Sequence, residues 1–130
     1  MTRTFRPALA ALLVLALPAV APPASAHHSA AMYDRSHPRT LEGSVKAFDW
    51  ANPHVWIQVV VANDKGGFDT WGVECTSVNF MTRRGWSRDT LKPGDKVTVV
   101  ISPLHDGSKG GAFQSLTTLN GQPFKTVADE

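Results

Sequence analysis

Apolar and polar residues alternate along most of the chain after residue 39, which is the period of β-strands. The first predicted strand begins at Thr40, and Leu41, Gly43 and Val45 share its apolar face. The apolar phase then shifts by one residue at Phe48, and with a glycine inside the strand this shift predicts a bulge and a sharp bend. The same alternation predicts four further strands, over residues 54–61, 68–76, 96–102 and 112–119.

The period changes between the third and fourth predicted strands, where a short helix is expected. Ser77 belongs to the residue types that cap helix N-termini, and it precedes a helix predicted over residues 78–84. Gly85 then ends the helix, since glycine tolerates the left-handed backbone that often follows a helix C-terminus.

This order of elements predicts an all-β fold with a small α component. Five strands with one short helix between strands 3 and 4 are typical of an OB-like, partly open barrel, and a split sandwich of the same strands is the alternative. The apolar phase of four strands predicts a shared core that contains Val45, Ile57, Val73, Val99 and Ile101.

The first 26 residues have the pattern of a cleavable export signal. A basic start with Arg3 and Arg6 leads into an apolar run over 8–21, and Ala24-Ser25-Ala26 supplies small residues at the cleavage position. The alternative is a transmembrane anchor, but the run is shorter than the ~20 residues that cross a bilayer. We therefore expect a periplasmic protein that begins at His27 and has no transmembrane segment after cleavage.

The chain then divides into four predicted regions. They are a signal peptide over 1–26, an N-terminal arm over 27–39, a barrel domain over 40–120 and a polar tail over 121–130. The arm has no sustained apolar period, so we expect it to be extended and partly ordered.

Composition changes this picture in two ways. The chain of 130 residues has 13 Lys and Arg against 11 Asp and Glu, but two arginines lie in the predicted signal, which leaves 11 of each sign. A near-neutral domain argues against a nucleic-acid partner, because such binding relies on clustered cations. Cys75 is the only cysteine, so no intramolecular disulfide is available and the fold is expected to depend on its core.

Several motifs occur together along the predicted mature chain. They are the start HHSAAMYD, the turn Asn52-Pro53-His54, Trp71 with Glu74, Gly85-Trp86, the turn Leu91-Lys92-Pro93-Gly94-Asp95, and Asp106-Gly107. With these motifs the chain resembles a family of small exported bacterial proteins catalogued only as a domain of unknown function. The resemblance covers essentially the whole mature chain and implies export and one small β-domain, without an assigned activity. Cys75 departs from the family pattern, so the resemblance implies nothing about that thiol.

The histidines carry the most specific candidate chemistry. A mature start at His27 would put a free α-amino group and an imidazole on one residue, and His28 adds a second imidazole, a donor set suited to copper. In an OB-like barrel the loops that carry His54 and His105 lie at the same end, within reach of the arm. We therefore predict a copper-type metal site formed by His27, His28, His54 and His105. The alternative is that His27 and His28 belong to a polar tail, His54 to a turn and His105 to a loop, none of which binds a metal. His37 has no motif around it.

Three further residue types are candidates for chemistry or binding. Glu74 alternates with Val73 and Cys75, so we expect it on the opposite face, toward solvent or the barrel rim, and we expect Cys75 inside, where a thiol is inert. The four tryptophans are expected mainly in the core, with stacking of a flat ligand as the alternative.

The sequence favours a non-enzymatic binding module over an enzyme. No nucleophile triad in strand-turn context and no paired carboxylates at a cleft are identifiable. The rival hypothesis is an accessory subunit of a periplasmic or membrane assembly, and a copper-dependent enzyme ranks third. The sequence identifies neither a small ligand nor a protein partner.

Overall fold

The computed structural model describes residues 30–125 and consists mainly of β-strands. The elements are a 3-10 helix Ala30–Met32, β1 Arg39–Asp49, β2 Trp56–Ala62, β3 Phe68–Glu74, α1 Val78–Arg83, β4 Lys96–Pro103, β5 Gly110–Leu119 and β6 Gln122–Pro123. In the described range, no helix combines the length and the apolar character needed to span a bilayer.

Five of the strands form a closed barrel. The antiparallel order β3-β2-β1-β4-β5 is completed by a parallel pairing of β3 with β5, in which Gly72 lies opposite Gly110 and Glu74 opposite Ala112. This closure and the single helix between β3 and β4 confirm the predicted OB-like barrel. The register of β1 against β2 slips between Val45 and Ala47, which confirms the predicted bulge.

The barrel interior contains the predicted core. All five residues expected to pack together are buried within one cluster: Val45, Ile57, Val73, Val99 and Ile101. The helix begins where expected, with the Ser77 side chain accepting from the Phe80 N–H, and it ends at Arg83, one residue earlier than predicted, before Gly85 with a φ of 84°. Trp86, just after the helix, is fully buried and packs against Phe113 with ring centroids 5.5 Å apart.

The structure adds a sixth strand that the sequence analysis did not predict. The sequence predicts a polar tail over 121–130, but Gln122 pairs with Leu119 and Pro123 with Thr118. Asn120 and Gly121 both have positive φ, which is the conformation that a tight two-residue hairpin requires.

The segment before β1 packs along the end of β4 instead of extending freely. Tyr33 forms a β-bridge with Leu104, and the Asp34 N–H donates to the Pro103 carbonyl at 2.8 Å. The His105 N–H donates to the Met32 carbonyl at 3.0 Å. Residues 32–34, which we call the docked arm, therefore cover one end of the barrel wall next to the β3–β5 seam.

Candidate functional site

Glu74, the last residue of β3, is buried although the sequence predicted it toward solvent or the rim. Its neighbours Val73 and Cys75 point into the core, so Glu74 points outward, as the alternation indicates. The error has a physical cause: the docked arm covers this part of the outer face, and only 7% of the Glu74 side chain is exposed. A carboxylate placed there requires donors for its oxygens.

Two side chains provide those donors. The Tyr33 hydroxyl donates to Glu74 Oε2, and His54 Nδ1 is hydrogen-bonded to Glu74 Oε1. In residues 30–125 every buried side-chain nitrogen or oxygen has a hydrogen-bond partner. Glu74 is therefore satisfied by one group from the arm and one from the β1–β2 loop.

The backbone around His54 explains why it reaches Glu74. The Val55 N–H donates to the Thr76 carbonyl at 2.9 Å and the Cys75 N–H donates to the Val55 carbonyl at 2.8 Å. These bonds continue the β2–β3 pairing beyond the strand ends. As a result, the turn that carries His54 is held beside the end of β3.

The contact with Glu74 orients the His54 imidazole. A carboxylate only accepts hydrogen bonds, so Nδ1 is the donor in this contact, and in the neutral imidazole the lone pair then lies on Nε2. The His54 side chain is 41% exposed. This carboxylate–imidazole arrangement fixes the tautomer and is the one that commonly supports a metal-binding histidine.

Burial and the Glu74 charge shift the pKa values of two neighbouring groups. Desolvation, together with the hydrogen bond to Glu74 and its charge, raises the pKa of the Tyr33 phenol well above its usual value of 10. Burial, with a smaller contribution from Glu74, raises the pKa of the Cys75 thiol to about 12. The expectation that Cys75 lies inside and is unreactive agrees with its burial.

A cavity of about 190 Å³ lies beside Glu74, between the docked arm and the barrel. Its lining includes Met32, Tyr33, Trp56, Gly72, Glu74, Leu104, Lys109, Gly110 and Gly111. The glycines lie on the β3–β5 seam, where a Cβ at Gly110 would come within 3.2 Å of the Gly72 carbonyl oxygen. Glycine at this position therefore favours the close approach of the two strands, since a Cβ would force its neighbours to shift by a few tenths of an ångström.

The tryptophans divide between the core and the surface. Trp71 and Trp86 are buried, as predicted, and the Arg39 guanidinium lies 4.6 Å from the Trp71 ring centroid. Trp56 is 37% exposed, so the expectation of a core position is wrong for this residue. It lies opposite Glu74 in the β2–β3 register and therefore shares the outer face with it.

The structure describes two of the four predicted metal ligands, His54 and His105. His27 and His28 lie outside the described residues. His54 is held by Glu74, and His105 is exposed directly after Leu104, the residue that bridges to Tyr33. Among residues 30–125 no group of three or more His, Cys, Asp or Glu side chains is arranged to hold a metal ion.

Sequence reasoning missed Tyr33 as a site residue. It lies in the motif HHSAAMYD, and it is the only tyrosine of the chain, but no periodicity marks it. Glu74 could have been identified as a site residue from the sequence, because it is a single acidic residue between two apolar residues at the end of a predicted strand.

Comparison with known families gives one match. The model of a family described as a family of unknown function, DUF6152, matches residues 14–114. The chain belongs to DUF6152. No curated protein and no solved structure matched it. Membership in DUF6152 brings no activity, and function has to be argued from the site.

Proposed function

We propose that this DUF6152 protein is an exported, non-enzymatic binding module of the periplasm that holds a copper-type metal ion. The proposed ligands are the α-amino group and imidazole of His27, with His28, His54 or His105 completing a square-planar nitrogen set, which Cu(II) favours. The site would lie at the end of the barrel where the docked arm meets His54.

The observation that carries the proposal is the orientation of His54. Its Nδ1 is engaged by the buried Glu74 carboxylate, which leaves Nε2 as the atom available for coordination. Such an outer carboxylate raises the basicity of the imidazole and restricts its rotation, and both effects favour metal binding.

The docked arm supports the participation of the N-terminal histidines. Tyr33 is fixed next to His54 through their common partner Glu74. His28 precedes Tyr33 by five residues, so with consecutive Cα atoms ~3.8 Å apart its Cα lies within about 19 Å of the Tyr33 Cα. Ligands on such a short tether have a high effective concentration at His54.

The test compares two forms of the protein that differ only at the N-terminus. The first form is purified from the periplasm, and its start at His27 is checked by intact mass spectrometry. The second carries one extra residue before His27, which moves the α-amino group away from that imidazole without changing the barrel. We expect the first form to bind Cu(II) more tightly in isothermal titration, with equal circular dichroism spectra.

Three results would contradict the metal-binding proposal or its N-terminal chelate. Equal copper affinity of the two forms would exclude the N-terminal chelate, and a start other than His27 would remove its basis. If neither form binds Cu(II) better than micromolar, the protein is not a copper-binding module.

A second candidate function is that of an accessory subunit in a periplasmic or membrane assembly. The specific observation is the exposed aromatic surface of α1, where Phe80 is 42% exposed and the Arg84 guanidinium lies 4.7 Å from its ring centroid. Aromatic and arginine side chains are enriched in protein interfaces. Chemical crosslinking in the periplasm tests it: Phe80→Ser should abolish a specific crosslink, and Phe68→Ser on the β2–β3 hairpin should not.

A further inference from the structure

We infer that Glu74 couples docking of the arm to metal binding at His54, so that Tyr33 is a positioning residue of the metal site. This coupling rests on the proposed function. The coupling assigns a role to Tyr33, whose side chain is not itself a metal ligand.

The contacts of the docked arm single out the Tyr33 hydroxyl. The bridge with Leu104 and the bonds of Asp34 and His105 described above use backbone atoms alone. The Tyr33 hydroxyl supplies the side-chain bond from the docked arm to Glu74. Tyr33→Phe therefore removes this one bond while it leaves the backbone contacts and the aromatic ring in place.

The shared carboxylate transmits the effect to His54. Each Glu74 oxygen has its own partner, and the side chain is almost completely buried. Loss of the Tyr33 hydroxyl leaves Oε2 without its donor in a poorly solvated position, which favours rotation of the carboxylate or entry of water. Either change weakens the constraint on the His54 ring.

The coupling acts in both directions. A cation on His54 Nε2 makes the Nδ1–H group a stronger donor to Glu74, and cooperative hydrogen bonds strengthen one another in a buried network. Binding free energies are reciprocal, so if docking favours the metal, the metal favours docking by the same factor.

The first experiment measures Cu(II) affinity by isothermal titration in three proteins with the native start. They are the wild type, Tyr33→Phe, and the control Thr118→Val, which removes a hydroxyl bonded to Thr98 at 2.8 Å in the β4–β5 pair. We expect affinity to fall in Tyr33→Phe, by less than the roughly 10- to 100-fold that loss of Glu74, the direct partner of the imidazole, would cause. The control should bind as the wild type does.

The second experiment measures hydrogen exchange by mass spectrometry in a peptide that covers residues 30–36. Cu(II) should slow exchange in the wild type, because it stabilises docking, and it should have a smaller effect in Tyr33→Phe. This readout uses the wild type itself, so it remains decisive if Tyr33→Phe folds poorly.

The outcomes separate the coupling from the proposed function. A wild type that fails to bind Cu(II) contradicts both. A wild type that binds, with Tyr33→Phe equal in affinity or with arm exchange unchanged by Cu(II), contradicts the coupling alone.

Discussion

Two histidine–carboxylate pairs within residues 30–125 have the same chemistry and different surroundings. In one, His54 Nδ1 meets Glu74; in the other, His37 Nδ1 lies 2.9 Å from Asp34 Oδ2. The side chains of the first pair are 41% and 7% exposed, and those of the second are 84% and 24% exposed. The first pair joins residues 20 positions apart, whereas the second joins residues three positions apart.

This difference determines what each pair can do. Asp34 also accepts from the backbone N–H groups of Ser36 and His37, so its carboxylate holds its own turn, and the hydrogen bond from His37 is the main cause that lowers its pKa. Glu74 instead connects β3, the β1–β2 loop and the docked arm. A carboxylate–histidine pair becomes a tertiary constraint only when burial leaves the carboxylate without water and dependent on distant donors.

The largest expected difference between the pairs is in stability. Glu74→Ala leaves the Tyr33 hydroxyl and His54 Nδ1 without their common acceptor, so we expect the free energy of unfolding to fall by about 1–3 kcal/mol. Asp34→Ala should have a much smaller effect, because water replaces its contacts. Urea unfolding followed by circular dichroism measures both, and equal losses would contradict the comparison.

The second prediction concerns the pH range in which Tyr33 ionises. Its pKa is raised in the folded protein, so the folded state retains the phenolic proton above pH 10, where the unfolded state releases it. The stability contributed by this group is therefore present below about pH 10 and is lost as pH rises toward the folded pKa.

Tyrosinate absorbance at 295 nm measures this ionisation, and the signal is assigned because the chain has one tyrosine. We expect the midpoint above 10 in the wild type, a lower midpoint in Glu74→Gln, and no change in Asp34→Asn. A wild-type midpoint at 10 would show that the phenol is not held by the buried carboxylate.

Sequence reasoning predicted the barrel better than the site, for physical reasons. The core faces of β1 to β4 repeat every two residues, so Val45, Ile57 and Val99 could be located from their phase. The burial of Glu74 depends on Tyr33, 41 positions away, and no local period encodes that contact. In contrast, Asn120-Gly121 is a strong hairpin signal, and the missed strand β6 could have been predicted from it.

The third and smallest effect concerns Cys75, the neighbour of Glu74 in the chain. Burial is the main cause that raises its pKa to about 12, and the Glu74 charge is a second one. Glu74→Gln should therefore lower the thiol pKa modestly, and Asp34→Asn should leave it unchanged. The ¹³Cβ chemical shift of Cys75, measured by NMR against pH in the folded protein, checks this, and equal profiles in all three proteins would exclude a contribution from Glu74.

The central proposal is that the buried carboxylate makes His54, and not His37, a metal ligand. Isothermal titration of Cu(II) into the form that starts at His27, compared in His54→Ala and His37→Ala, tests it most directly. We expect His54→Ala to weaken binding by more than the roughly 10- to 100-fold that loss of an outer partner causes, and His37→Ala to bind as the wild type does. Equal affinities in the two variants would contradict the account.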